Sequence, residues 1–516
     1  MPACATQNTI AEQSPISNLF LPVPDTDFRE FLEEVEKLGR FAPTIIEAIE
    51  KDLDANAREK KKLRLEDRKF YESRTAQLPE LNIDEQDLLA EKLALAVGRP
   101  RMPAYVVFVF LMLRGFLGSL TTKPARRFLC ESISLHAFFQ SHELKMPAVT
   151  TILENVNLVS HATRELIFEK EIAWVLKEEL DDFQRLTIDS TSAKANSSWP
   201  TDGKVLIGLL ERAHGLGQKL HRFGLEDFRK GWIPSWLEKM VNLEFRICLA
   251  SGKAASKGKM KKHYRQLLKR GEKAANALTT EFDRLEQELS MAMLPPSRRV
   301  LLQRVLEQIH SDIADAKRVV EYARDRVFHG KKLPSTEKVL SLSDGSAAYI
   351  KKGSRNPVIG YKPQLIRSEK GFVTSLVVPE GNAADSTELA PSIRDSIQRT
   401  GVVAELVSTD DGYASAKGRD EVLGMGVKAL SISGAKGKKL TSSDDWDSEV
   451  HRDARRNRSA VESLMFTIKD GFAFGELGRR GIDAVRDELL EKVLAYNCCR
   501  IILMKKRRRE ELARAA

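Results

Sequence analysis

Three acidic residues stand at positions where a carboxylate could do chemistry. Asp189 ends the apolar run Phe183-Gln-Arg-Leu-Thr-Ile and is followed by Ser190, Thr191 and Ser192. Asp410 follows a second such run, in LVSTDDGYAS, just ahead of a glycine that lets the chain turn. Glu462 lies in the helical pattern RRNRSAVESLMFTIKDG. Taken singly, an acid at a strand end reads better as a turn former or a helix cap. The third segment is more telling. At roughly 100° per residue, Arg458, Glu462 and Lys469 project within roughly 40° of one another on one helix face. That face offers a metal-binding carboxylate flanked by two cations; a solvated salt-bridge face has the same spacing, and geometry alone leaves both open.

The Arg458-x3-Glu462-x6-Lys469 pattern resembles the Tyr-Arg-Glu-Lys signature of DDE transposases from bacterial insertion sequences, and other segments follow that family's order. Asp189 in LTIDST resembles its first catalytic Asp. Asn196 and Trp199-Pro-Thr-Asp202 resemble a segment ending in Tyr-Pro-Thr-Asp. Lys351-Lys352-Gly353, Gly360-Tyr-Lys362 and Gly381-Asn382-x-x-Asp385 resemble its β-region. Asp410-Asp-Gly-Tyr413 resembles Asp-x-Gly-Tyr at its second catalytic Asp, and Leu494-Ala-Tyr-Asn497 its closing helix. The likeness spans roughly Leu186 to Arg500. Three features depart from it: Arg455 stands where the signature has Tyr, Asp411 where a basic or small residue is common, and the segment after the first strand is long. The Asp-x-Gly-Tyr spacing selects Asp410 over Asp411.

The resemblance implies a ribonuclease-H-like α/β catalytic domain with both Asp on adjacent strands and Glu on a packing helix. It implies Asp189, Asp410 and Glu462 as catalytic residues and as ligands of two Mg²⁺ ions, with Mn²⁺ as a substitute. Two divalent ions about 3.5–4 Å apart activate an oxygen nucleophile and stabilise the leaving oxygen of a phosphodiester, and Mg²⁺ prefers carboxylate and water oxygens. Water would first free a 3′-hydroxyl at an element end, which would then attack target DNA. Arg458, Lys469 and Arg455 would contact DNA phosphates. The implied partners are double-stranded DNA, as element ends and target, and further copies of the chain in the DNA complex. A transposase-derived DNA-binding protein that no longer cuts, and a hydrolytic nuclease of the same fold, are the competing readings.

The elements that must position these residues follow from hydrophobic periodicity. Strand-like runs fall at Phe183–Asp189, Val339–Leu342, Ala347–Lys351, Val358–Ile366, Gly371–Val378 and Val402–Ser408. Val205 to Phe328 reads as helical, and its clearest part is a hairpin broken at Pro295-Pro296, with Leu278, Phe282, Leu285 and Leu289 on one arm and Leu302, Val305, Ile309, Ile313 and Val320 on the other. An amphipathic helix is expected around Phe31–Leu38, and Leu88, Leu89, Leu93 and Val97 also recur at helical spacing. KPARRFLCESISLHAFFQ and MPAVTTILENVNLV read as short helices joined by tight turns, with Thr150 or Thr151 as a cap. A helix-turn-helix and a small helical bundle both fit them. The expected organisation is a basic, partly helical segment at 1–80 and a helical DNA-binding or dimerisation domain at 81–180. A catalytic domain at 181–204 and 336–504, a helical insertion at 205–335 and a basic tail at 505–516 complete it.

Composition permits this reading without demanding it. The chain has 516 residues and a formal net charge of +10 spread along its length, a balance that suits a polyanion. Five scattered cysteines (Cys4, Cys130, Cys248, Cys498, Cys499) show no zinc spacing, which points to a reducing, cytoplasmic setting; the resemblance implies a nucleoid-associated one. The start MPACATQNTI lacks secretory design, and the apolar run Ala104–Leu113 is about half a membrane span, so no membrane is expected. No nucleotide cofactor is expected either: there is no P-loop, and Gly424-Met-Gly426-Val-Lys-Ala429 follows a helical stretch rather than a strand.

Overall fold

The structure, a computed structural model, describes residues 28–75, 101–197, 201–222, 231–251, 257–291, 294–331, 334, 337–351 and 356–515. The stripe Leu88–Val97, Trp199-Pro200 and Lys352-Gly353 lie outside them. The chain divides into two compact units, one from Met1–Asn56, Arg101–Asn196 and Ser346–Ala516, the other from Ala57–Pro100 and Ser197–Gly345.

In the first unit, α1 (Phe28–Phe41) buries Phe31, Leu32, Val35 and Leu38 at helical spacing. Helix α2 (Pro43–Thr75) follows and continues into the second unit. The apolar run forms α3 (Ala104–Phe116), buried along almost its whole length. Four helices come next: α4 (Lys123–Glu131), capped by Thr122; α5 (Ile133–Ser141), capped by Ser132; α6 (Val149–Val156); and α7 (His161–Lys177), capped by Ser160. The expected cap at Thr150 or Thr151 is not observed. Helix α6 begins after Ala148 without a side-chain cap, which puts both threonines inside it.

The sheet of this unit runs β6-β5-β1-β7-β8. Its strands are β1 (Arg185–Ser190), β5 (Gln364–Ser368), β6 (Val373–Val377), β7 (Leu406–Thr409) and β8 (Ala429–Ile432). The β1–β5 and β5–β6 pairs are antiparallel, and β1–β7 and β7–β8 are parallel. A smaller sheet pairs β2 (Ala193–Lys194) and β3 (Ala348–Ile350) with the central β4 (Val358–Tyr361). Glycine is required at 360, where a Cβ would lie 1.9 Å from the Ala193 carbonyl oxygen. The single strand expected over Val358–Ile366 is therefore two strands in two sheets. They separate at Lys362-Pro363, because proline cannot donate to a ladder, and the Pro363 carbonyl instead accepts from the Thr191 N–H.

Helices α8 (Asp202–Arg222), α9 (Trp232–Ala250), α10 (Lys257–Met291) and α11 (Pro296–His329) build the second unit. Leu278, Phe282 and Leu285 share its core with Leu302, Ile309, Ile313 and Val320. Val339–Leu342 forms no strand here. Val339 and Leu342 pack on this helical core, and the Val339 carbonyl accepts from Tyr322, so the apolar run reflects packing on helices.

After β6 come α12 (Asp385–Thr400), α13 (Ala416–Gly424), α14 (Ala435–Leu440), α15 (Ser443–Asp447), α16 (Glu449–Asn457), α17 (Ser459–Gly471) and α18 (Ile482–Ala515). Leu389 and Ile393 of α12 and Val422 of α13 pack with Leu186, Ile188, Ile366 and Val407 on one face of the large sheet. Asn497 of α18 pairs with the edge strand through both its amide groups: Oδ1 accepts from the Val373 N–H and Nδ2 donates to the Val373 carbonyl, each at 2.9 Å. Tyr496 donates to the Gly371 carbonyl at 2.8 Å, and together they cover an otherwise open sheet edge. No described helix is long and apolar enough to cross a membrane.

Candidate active site

Strands β1 and β7 run parallel, with Thr187 opposite Ser408. Their hydroxyls lie 2.8 Å apart, on the face opposite the one where Leu186 and Val407 join the core. Side chains alternate with period two, so Asp189 projects from the same face as Thr187, and Asp410 follows directly after β7, as the cap of the turn Asp411–Tyr413. Both are half-buried. Asp189 Oδ1 accepts from the Ser190 N–H at 2.7 Å, and Asp410 Oδ1 from the Gly412 N–H at 2.9 Å. The second bond explains the Asp-x-Gly spacing: a Cβ at Gly412 would sit 3.0 Å from Asp410 Oδ1 and 3.4 Å from Asp385 Oδ2.

Asp385 is therefore a third carboxylate of this neighbourhood, and the sequence reading gave it no role beyond its motif. Lys362 Nζ stands 3.0 Å from its Oδ1 and also donates to the Ala383 carbonyl. Gln364 Nε2 donates to the same oxygen at 3.1 Å. Burial alone would raise the Asp385 carboxyl, but hydrogen bonds from Ser190, Lys362 and Gln364 outweigh it and hold the group below its usual value. Tyr413 is fully buried and donates to Gln364 Oε1. Burial first, then the Asp385, Asp189 and Asp410 carboxylates, push its hydroxyl well above the ordinary range. Gln364 could have been noticed as a wholly buried amide at the head of an apolar strand.

The neighbouring Asp411 does something else. Its Oδ1 accepts from the Lys436 and Gly437 N–H groups at 2.8 and 3.0 Å, capping the first turn of α14. Asp411→Ala should lower stability by about 1 kcal/mol, the usual worth of such a cap. Thermal melting reads this directly, and an unchanged midpoint would deny the cap any energetic role.

Glu462 is on α17, which packs against β1 and α18. Its side chain is 65% exposed, and Arg458 Nη2 lies 3.3 Å from its Oε1. Arg458 is the junction between α16 and α17 and keeps helical dihedrals there, so the pair spans one turn as the spacing expects. Lys469 is half-buried in the last turn, its stem 3.6 Å from the position a Cβ would take at Gly475. Arg455 packs its guanidinium over the Trp446 ring at 4.2 Å and donates to the Trp446 carbonyl. Among the described residues no three His, Cys, Asp or Glu side chains are gathered as a metal site.

The pair Asp189 and Asp410 has the donor chemistry of a hard-cation site. Carboxylates at the ends of neighbouring strands repel one another. A bound divalent cation would reverse that cost. Searches of curated proteins and of solved structures find no match. A family model does match, over a span that includes Lys362, Asp385, Asp410 and Glu462 and begins after Asp189: residues 332–498 match the transposase DDE domain. The chain carries a DDE transposase domain.

Proposed function

We propose that the chain is a metal-dependent DNA transposase. It binds the ends of an insertion element, cleaves the phosphodiester backbone and joins the freed 3′-hydroxyl to target DNA. The observation that carries this reading is the placement of Asp189 at the end of β1 and of Asp410 directly after its parallel neighbour β7, the second of them inside the matched domain. The sheet order, three antiparallel strands continued by two parallel ones, supports a ribonuclease-H-like catalytic domain interrupted by a helical insertion.

In this reading Asp189, Asp410 and Glu462 hold two Mg²⁺ ions, for which Mn²⁺ substitutes. Bound there, the ions would supply Lewis acidity at a phosphodiester. Lys362 and Gln364 fix the Asp385 carboxylate behind the pair, and the buried Tyr413 ring shields that side from water. Arg458 and Lys469 take phosphate oxygens, Arg458 exchanging its contact with Glu462 for DNA. Arg455 takes a phosphate contact as well, its guanidinium held over the Trp446 ring. A second reading, a DNA-binding protein that no longer cuts, is favoured by one observation: Glu462 is exposed and ion-paired to Arg458.

A supercoiled plasmid carrying the DNA segments that flank the coding sequence separates these readings. With Mg²⁺ or Mn²⁺ it should be nicked and then joined, and excess chelator should stop both. Undiminished nicking in chelator would end the metal-dependent reading. Nicking without joined product leaves a hydrolytic nuclease, and binding without nicking leaves the non-cutting protein.

A further inference from the structure

Outside the catalytic domain, the second unit carries a cleft of about 520 Å³ between α9 and α10. Helix α9 lines it with Lys239, Asn242 and Arg246, spaced i, i+3 and i+7 on one face. Helix α10 contributes Gln266, Lys269, Arg270 and Lys273, again within one face. Five cations and two amides line this cleft, and no carboxylate does. None of the five cations forms an ion pair among the described residues. The acids nearby are engaged elsewhere: Glu272 holds Arg324 at 2.9 Å, and Glu244 accepts from Thr201.

So concentrated a positive charge is costly without a counter-charge, and the cleft's length indicates which. Seven residues of helix rise about 10 Å, and one DNA strand carries a phosphate per about 3.4 Å of duplex axis. Each row therefore spans about three consecutive phosphates. Lys and Arg neutralise them, while the amides of Asn242 and Gln266 donate to phosphate or sugar oxygens. We propose that the α9–α10 cleft is a sequence-independent binding site for the backbone of double-stranded DNA. The inference rests on the DNA-processing reading above and gives it a second anchorage away from the carboxylates.

The test uses the full chain and a short labelled duplex of arbitrary sequence, with affinity followed against salt. The combined variant Lys269→Gln, Arg270→Gln, Lys273→Gln should flatten the slope of log affinity against log salt by about 2 to 3, at about 0.9 per lost phosphate contact. Between about 50 and 200 mM salt the unmodified chain should then lose about 40-fold more affinity than the variant. Lys239→Gln with Arg246→Gln should remove a further 1 to 2 units of slope, roughly. Lys257→Gln, Lys259→Gln, Lys261→Gln removes equal charge from exposed lysines that do not line the cleft, and should change the slope little. An equal effect in that control would overturn the cleft in favour of overall charge. So would an unchanged slope in melting-competent cleft variants, or tighter cleft-dependent binding of RNA than of duplex DNA. Duplex binding through the cleft without cleavage would leave this inference standing and remove the transposase reading instead.

Discussion

Asp189→Asn and Asp410→Asn should each reduce cleavage by about a thousandfold or more. Several kcal/mol of transition-state stabilisation are at stake when a metal ligand is lost, and each 1.36 kcal/mol is tenfold in rate. Duplex affinity should hold, because neither side chain is a cation and both stand at half-buried strand ends. The change is nearly isosteric, so folding should be undisturbed. Asp411→Asn is the contrast. Its Oδ1 can still accept from Lys436 and Gly437, so it should retain most activity. Nicking assays on the three variants, each with a measured duplex affinity, decide the matter. An inactive Asp411→Asn beside an active Asp410→Asn would transfer the second ligand to Asp411. Glu462→Gln completes the series, and its loss of cleavage is the direct test of the third carboxylate.

The largest stability effect is expected at Glu491 of α18. This carboxylate is 1% exposed and accepts from three guanidiniums: Arg114 of α3, Arg164 of α7 and Arg479. Burial would raise its carboxyl, but Arg114, Arg479 and Arg164 together hold it down at about 2. Glu491→Gln leaves three cations facing a neutral amide, two of them almost wholly buried. Breaking a buried ion cluster from one side costs about 3–5 kcal/mol, read by denaturant or thermal unfolding. The same group shapes acid sensitivity. A carboxyl whose folded pKa lies below its unfolded value stabilises fully above the ordinary carboxylate range. That contribution then fades as pH falls from about 4.5 through about 2, by roughly 3 kcal/mol in all. Stability of the Gln variant should be flatter across that window. A loss below about 1 kcal/mol, set against the same rule, would mean that the guanidiniums find other partners.

Strand β1, the β5–β7 region and the long helices are legible in the sequence because their apolar residues recur with periods that only one kind of element satisfies. The hairpin of α10 and α11 is the clearest case, with stripes on both arms and Pro295-Pro296 between them. Legibility fails where a local pattern serves another partner. Val339–Leu342 is apolar like a short strand, but Val339 and Leu342, three residues apart, pack on helices. β8 is missing from the expected strands although it is no shorter than β7. At the site, strand ends and an Asp-x-Gly turn marked Asp189 and Asp410. Lys362, Gln364 and Asp385 were harder to see, because their roles depend on a three-way meeting of β5, α12 and β1 that no spacing along the chain encodes. Arg455 is legible in part: its signature position marks a cation for DNA, while the Trp446 ring that holds its guanidinium is seen only in the fold.

The strand that holds Asp189 closes on partners made much later. Thr187 meets Ser408 across 221 residues of chain, most of that interval belonging to the separate helical unit. At ribosomal rates of about 5–20 residues per second, some 10 to 40 seconds of synthesis separate the first half of the pair from the second. For most of that time β1 has no sheet to join, since its antiparallel partner β5 follows only at Gln364–Ser368, and contacts of such long range form slowly. The helical unit, with its own core, can be completed within that interval. A nascent or prematurely terminated chain therefore lacks the paired carboxylates, and cutting competence is one of the last properties the newly made protein acquires.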